Sequence, residues 1–184
     1  GLYSSSYIEL TVWCQSLAVF FTMIPMLIWN ARSLGARVKT DYISSEEKNK
    51  KVKLVTILEH KQQPAKIRDF SIRIKMKNFL HADPVNTHIW VFWSRGISVD
   101  VVQAGEQFIT MKLSNGARIL LLSIIYGRCD AQRMEKLWQE FSGFDPGALP
   151  WILGGDFNVE MNQRRRKGAE PSNGRLVWTV FNLW

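Results

Sequence analysis

The chain has 184 residues, 46% of them hydrophobic, and a formal net charge of +8. These totals exclude a disordered or fibrous chain and allow one globular domain with a core of its own. The positive charge favours polyanionic partners such as nucleic acid or anionic lipid, although the same lysines and arginines also fit an ordinary solvated surface.

An apolar stretch at residues 17–29 is long enough to raise the question of a membrane span. Polar residues and Pro25 interrupt it and no basic residue precedes it, so we expect no stable membrane association. Met26–Asn30 is predicted instead to be a short buried strand. We therefore expect residues 1–22 to be an N-terminal extension outside a domain that covers residues 23–184.

The next elements predict a parallel crossover. Residues 36–51 are polar and charged and could carry a surface helix, and residues 53–58 are almost continuously apolar, which is typical of a strand covered on both faces. A strand, a helix and a strand in this order imply parallel pairing of the two strands. Residues 66–79 alternate in one part and could be helical in another, and the pattern does not decide between them.

The second half of the chain contains clearer signals. Four strand-like runs are separated by turns and predict an antiparallel meander; they cover residues 89–93, 98–102, 107–113 and 117–125. The turn at Asn115-Gly116 favours a tight hairpin. Asp130 can cap a helix that extends to about Phe141 and buries Met134, Leu137, Trp138 and Phe141 on one face. A short apolar strand at residues 150–153 follows it.

This last strand stops at the pentapeptide GGDFN, residues 154–158. Strand alternation places Asp156 and Asn158 on the same side, where a carboxylate and a carboxamide can orient a water and hold a phosphoryl oxygen. Such sites commonly form at strand ends of α/β sheets. The alternative is a glycine-rich turn whose aspartate caps the following loop.

Several blocks in this order carry a resemblance: IWNARSL, a strand ending in Ile57-Leu58-Glu59, IWVFWS, SIIYGRCDAQRMEKLW and GGDFN. Together they resemble the DNase I-like endonuclease/exonuclease/phosphatase superfamily, and more narrowly the endonuclease domain of plant LINE-type non-LTR retrotransposons. The resemblance implies an α/β fold: a four-layer sandwich of two packed mixed sheets flanked by helices. It also implies metal-dependent hydrolysis of phosphodiester bonds, with nicking of DNA as the activity.

The resemblance also implies roles for five residues. Asn30 would help to hold the metal and the phosphate, and Glu59 would ligate Mg²⁺ or Mn²⁺. Tyr126 would reach the scissile phosphate, Asp156 would orient or deprotonate the attacking water, and Asn158 would stabilise the developing charge. The simpler interpretations are a strand-end cap for Asn30, a surface carboxylate for Glu59 and a core position for Tyr126.

One block of the superfamily has no counterpart, namely a C-terminal Ser-Asp-His segment that carries the catalytic histidine. His60, His81 and His88 all precede GGDFN, and none of them can be assigned that role. Loss of one member of a catalytic group usually lowers the rate by orders of magnitude. We therefore expect a domain that is incomplete at its C-terminus, with little activity and marginal solubility.

Three functions remain open at this stage. The first is a DNA endonuclease, with DNA as partner and no protein partner that can be inferred. The second is a catalytically inactive remnant that binds nucleic acid through basic residues 164–167 and 48–53. The third is a phosphomonoesterase of the same superfamily. Cys14 and Cys129 form no disulfide or metal pattern and indicate a reducing compartment, so we expect an intracellular protein, nuclear in the retrotransposon case.

Overall fold

The computed structural model of the chain describes residues 24–31, 41, 44, 51–82, 86–128 and 130–157. Their strands form two four-stranded sheets. The first sheet contains β1 (Met26–Asn30), β2 (Leu54–Leu58), β3 (Asn78–Ala82) and β4 (Asn86–Trp93). The second sheet contains β5 (Ser98–Gly105), β6 (Phe108–Asn115), β7 (Arg118–Tyr126) and β8 (Trp151–Asp156). Among these residues, the helices with assigned bounds are a 3₁₀ turn at Pro64–Lys66, α1 (Ile67–Arg73) and α2 (Ala131–Ser142), and Asp41 and Ser44 are also helical.

Both sheets mix parallel and antiparallel pairs. The first has the order β1-β2-β4-β3, with β1 parallel to β2 and the other pairs antiparallel. The second has the order β5-β6-β7-β8, with β7 parallel to β8. The parallel pairing of β1 and β2 confirms the predicted parallel crossover. The carboxyl ends of β1, β2, β7 and β8 lie at one edge of the molecule.

Strand alternation divides the interior into three apolar layers. In β2, Leu54 and Leu58 face the second sheet, whereas Val55 and Ile57 face outward under α1. In β7, Leu122 and Ile124 face the first sheet, and the outward side of the second sheet packs under α2. The result is helix, sheet, sheet and helix, and the predicted four-layer sandwich is confirmed.

Helix α2 begins where the sequence predicts. The Asp130 side chain accepts a hydrogen bond from the backbone N–H of Arg133 at 2.9 Å, which caps the helix. Leu137 and Phe141 are buried against the second sheet. Trp138, predicted to lie on the same face, is 44% exposed, because it sits at the margin of that face, where its ring stacks 6.2 Å from the ring of Phe157.

The structure corrects one grouping of strands. The predicted meander includes the run at residues 89–93, but this run belongs to β4 in the first sheet, between β2 and β3. The reason lies in its side chains: Ile89 to Phe92 are all buried, as a central strand with a packed layer on each face requires. Only β5, β6 and β7 form the meander. The undecided residues 66–79 hold both a helix, α1, and the edge strand β3.

Some predictions fall on residues outside the described part of the chain. These are the N-terminal extension at residues 1–22, Asn158, most of the expected helix before residue 51, and the basic residues 164–167 and 48–50. Within the described residues, no helix combines the length and apolar character needed to cross a membrane. The expectation of marginal solubility stays a prediction.

Candidate active site

Four of the five predicted site residues lie at the edge where the parallel strands end. They are Asn30, the last residue of β1, Glu59, directly after β2, Tyr126, the last of β7, and Asp156, the last of β8. Because β1 and β2 run in the same direction, as do β7 and β8, each sheet supplies two of these side chains. The fifth residue, Asn158, lies outside the described residues.

A direct hydrogen bond joins the two sheets at this edge. The side-chain Nδ2 of Asn30 donates to Oδ2 of Asp156 at 2.7 Å. The two residues are 126 positions apart in the chain and belong to β1 and β8, the outer strands of their sheets on this side. The bond fixes the orientation of the Asp156 carboxylate through the amide nitrogen of Asn30, and Oδ1 is the atom of that side chain with the hard-oxygen chemistry of a cation ligand.

Glu59 and Tyr126 form the next contact across the sandwich. Burial raises the pKa of the Tyr126 phenol, and the Glu59 carboxylate, which accepts a hydrogen bond from it, raises this pKa further. The phenol is therefore protonated at neutral pH and is a hydrogen-bond donor. Lys61 Nζ lies 2.9 Å from Oε1 of Glu59 and offsets the charge of that carboxylate.

The backbone at Glu59 adopts a conformation that non-glycine residues rarely take, with φ of 52°. Two contacts stabilise it: the N–H of Glu59 donates to the carbonyl of His88 at 3.0 Å, and the ring of His60 stacks 3.9 Å from that of Trp90. His60 is 2% exposed, and its Nδ1 accepts from the backbone N–H of Gln62 at 3.0 Å. Sequence reasoning gave His60 no role, yet it anchors the turn that presents Glu59.

A third contact between the sheets follows in the same direction. Nη2 of Arg128 lies 3.0 Å from Nε2 of His88. Arginine has no acceptor atom, so it donates and Nε2 of His88 accepts, which places the proton of a neutral ring on Nδ1. Burial lowers the pKa of His88, and the positive charge of Arg128 lowers it further. Sequence reasoning missed this pair, because its members are 40 residues apart and no motif links them.

The second glycine of GGDFN is required by close backbone approach. Gly155 has φ of 143°, and a Cβ atom at this position would lie 1.9 Å from the carbonyl oxygen of Ile125 in β7. No side chain can be accommodated there without movement of the strand. The glycine thus lets β8 lie beside β7 and sets Asp156 directly opposite Tyr126 in the strand register.

The side-chain oxygens at this edge are few, so they suit a hard divalent cation that keeps part of its shell of bound water. Within the ranges that the structure describes, no group of three His, Cys, Asp or Glu side chains is arranged to hold a metal ion. The Glu59 carboxylate and the Asn30 carboxamide oxygen are hard oxygen donors, and Mg²⁺ commonly uses one or two carboxylates and keeps several waters. These residues therefore fit Mg²⁺ or Mn²⁺ bound in this way and do not form an all-protein cage.

The arrangement of the sheets and helices defines the fold class of the protein. Two packed mixed sheets flanked by helices, with polar side chains at a shared strand-end edge, constitute the DNase I-like fold. The chain is similar to TDP2 from Caenorhabditis elegans (TM-score 0.50, 13% identity, 73% of this chain). It is also similar to D. rerio TDP2 complexed with single strand DNA product (TM-score 0.54, 14% identity, 73% of this chain). A third similar structure is the endonuclease domain of TRAS1, a telomere-specific non-LTR retrotransposon (TM-score 0.52, 14% identity, 74% of this chain).

These likenesses concern the fold. The chain spans 48%, 60% and 61% of the three structures, in the same order. No profile of a known protein family matches the sequence, and no curated protein matches it. The structural likenesses do not extend to activity, substrate or cofactor.

The depressed pKa of His88 predicts a dependence of stability on pH. The unfolded chain binds a proton at this histidine near pH 6.5, whereas the folded chain binds it at lower pH. Stability from the neutral ring is thus fully present above pH 6.5 and is lost as the pH falls through the folded-state pKa. We expect the free energy of unfolding, measured by urea titration in EDTA, to fall more between pH 7.5 and 5.5 in the wild type than in His88→Asn. Equal losses in the two proteins would contradict the assignment.

Proposed function

We propose that the protein is a Mg²⁺- or Mn²⁺-dependent endonuclease that nicks DNA, of the kind found in plant LINE-type retrotransposons. The observation that carries the proposal is the hydrogen bond of 2.7 Å between Asn30 and Asp156, which orients a carboxylate beside Tyr126 and Glu59 at the strand-end edge. A nuclear location follows from the same proposal, since chromosomal DNA is the target of such an enzyme.

The chemistry proposed is attack of water on a phosphodiester. Asp156, fixed by Asn30, orients the water and accepts its proton. The phenol of Tyr126 has one proton, and the Glu59 carboxylate accepts a hydrogen bond from it in this structure. With Glu59 engaged by a divalent ion, Tyr126 would donate that hydrogen bond to a phosphate oxygen instead. Asn158, outside the described residues, is proposed to stabilise the charge that develops on the phosphate. A divalent ion held by Glu59 and Asn30 would neutralise charge on the phosphate and on the leaving oxygen.

Two further observations favour DNA as the substrate. The formal net charge of +8 attracts a polyanion over a Debye length. Among the similar structures, one is a retrotransposon endonuclease domain and another is complexed with single strand DNA product. The narrower assignment to plant LINE elements rests on the sequence blocks around Trp29, Trp90 and GGDFN.

The test is a nicking assay with supercoiled plasmid and the whole 184-residue chain. In keeping with the low activity expected from the sequence, we expect slow conversion to the open-circular form with Mg²⁺ or Mn²⁺. We expect none with EDTA, because the site residues leave the phosphate charge to be neutralised by the cation. A heat-denatured sample and a nuclease-free mock purification are the controls. Absence of nicking with either ion would contradict the proposal.

A DNA-binding titration and a phosphate-release assay, run beside the nicking assay, separate the alternatives. Salt-sensitive binding of DNA without any cleavage would favour an inactive remnant. Release of inorganic phosphate from a phosphomonoester, with the plasmid left intact, would favour a phosphomonoesterase of the same fold.

A further inference from the structure

The contact between Arg128 and His88 lies in line with the site described above. β4, which carries His88, is the neighbour of β2, which presents Glu59, so this contact is one strand further along the same edge than Glu59 and Tyr126. The guanidinium carbon of Arg128 is 5.8 Å from the centre of the Tyr126 ring. Three contacts between the sheets therefore stand in a row, and the third contributes a cation.

A buried glutamine fixes the backbone on which Arg128 stands. Gln107 is 3% exposed, and its Oε1 accepts from the backbone N–H of Arg128 at 2.8 Å. Its Nε2 donates to the carbonyl of Arg133 in the first turn of α2 at 2.8 Å, and its own carbonyl accepts from the N–H of Tyr126 at 2.7 Å. Through its side chain and its backbone carbonyl, Gln107 thus links α2, the segment after β7 and β7 itself, and holds Tyr126 and Arg128 in a fixed relation.

Neither His88 nor the nearest acid along the chain forms an ion pair with Arg128 in the described part of the structure. His88 accepts its hydrogen bond as a neutral ring and brings no negative charge. The acid closest along the chain, Asp130, pairs with Arg133 at 3.4 Å instead, and among the described residues no carboxylate forms an ion pair with Arg128. A guanidinium has five N–H donors in a planar fork, and contact with His88 uses one of its nitrogens. The remaining donors suit the oxygens of a phosphate.

We propose that Arg128 binds the phosphate next to the scissile one in the substrate strand, with Gln107 and His88 as the residues that position it. The inference rests on the endonuclease function proposed above. The spacing supports it: adjacent strands are about 4.8 Å apart, so Arg128 is displaced by about one strand from the central contact between Glu59 and Tyr126. At that distance the guanidinium would contact a neighbouring phosphate, while Tyr126 and Asp156 would act at the scissile phosphate.

Binding measurements test the proposal without turnover. The probe is a fluorescein-labelled single-stranded DNA 12-mer, titrated with the 184-residue chain in EDTA at several salt concentrations. Arg128→Gln is expected to weaken binding about tenfold, as loss of a charge-assisted contact implies, and to reduce the slope of log K against log salt by about 0.7. Arg128→Lys should keep the slope and recover part of the affinity, since it keeps the charge but loses the fork.

Two comparisons separate a binding role from a structural one. Arg95→Gln removes the same charge from an exposed turn after β4, at the opposite edge of the sheet, and should leave affinity and slope near the wild type. Gln107→Leu and His88→Leu keep the charge but release the guanidinium, so each should weaken binding by a smaller factor. Each should add little when combined with Arg128→Gln.

Kinetics complete the test. With a plasmid substrate, Arg128→Gln should raise KM about tenfold and change kcat by less than about threefold, because uniform binding is lost while groups at the reacting phosphate remain. Wild-type affinity, salt slope and KM in a folded Arg128→Gln protein would overturn the inference, even if nicking requires Asp156. Absence of nicking by the wild-type protein would instead refute the proposed function, and the binding slopes would still decide the role of Arg128.

Discussion

Replacement of Asp156 by asparagine is expected to lower metal-dependent nicking by about 10²- to 10⁴-fold, the usual contribution of a general base. The substitution keeps the shape of the side chain and an oxygen that can accept the hydrogen bond from Asn30, so the sheets should remain joined. It removes the negative charge that can take a proton from water. The measurement is kcat for plasmid nicking at saturating Mg²⁺, together with the affinity for the single-stranded probe, which should change little.

Asp100→Asn provides the matched control. Asp100 is exposed on the edge strand β5, near the end of the sheet opposite to Asp156, and loses the same charge. Its kcat should equal that of the wild type. Equal nicking by Asp156→Asn and the wild type would remove Asp156 from the chemistry and, with it, the main support for the proposed function.

Gly155→Ala is expected to destabilise the protein by at least about 3 kcal/mol, combining overpacking with backbone strain. The added Cβ would lie 1.9 Å from the carbonyl oxygen of Ile125, and φ of 143° is unfavourable for alanine. For a chain of this size such a loss corresponds to a fall of about 6–12 °C in the melting temperature. Urea titration and thermal melting of the purified protein measure it, and the soluble yield is recorded in case the variant does not fold.

Gly147→Ala is the comparison for backbone strain without a clash. Gly147 has φ of 59° in the segment between α2 and β8, and a Cβ there would meet nothing within 4 Å. We expect a loss of about 1 kcal/mol from the left-handed conformation alone. If Gly155→Ala were no more destabilising than Gly147→Ala, that result would contradict the close contact between the backbones of β7 and β8 at Gly155.

The sequence predicted individual elements better than their arrangement. β2 and β8 are apolar runs bounded by polar residues or glycines, and α2 has a capping aspartate, so local patterns were sufficient. The position of β4 was not predictable in this way. Its partners are β2, more than 25 residues earlier, and β3, and a run of buried residues does not state which sheet it enters. Residues 66–79 resisted assignment because a seven-residue helix and a five-residue edge strand share that interval.

The residues of the candidate site also fall into two groups, those that local sequence patterns identified and those that they did not. Asn30, Glu59, Tyr126 and Asp156 each end or directly follow an apolar strand within a block that resembles a known superfamily, and the structure brings them to one edge. Their roles in catalysis remain predictions. The three remaining residues, which are Gln107, His88 and Arg128, were not identified, since their contacts join positions 21 to 40 residues apart. Of these three residues, only Gln107 is distinctive, because a glutamine in a turn is seldom buried. Its burial cannot be read from the sequence alone.

The bond between Asn30 and Asp156 couples the proposed chemistry to two edge strands of the sandwich. In the part of the chain that the structure describes, β1 pairs only with β2, and β8 only with β7. Strands bound on one side tend to open in partial, sub-global fluctuations that leave the centre of each sheet intact. Opening of either strand separates the amide from the carboxylate. The proposed hydrolysis therefore requires β1 and β8 to be paired with their sheets at the same time. Activity can be lost in molecules whose core is still folded by a spectroscopic measure.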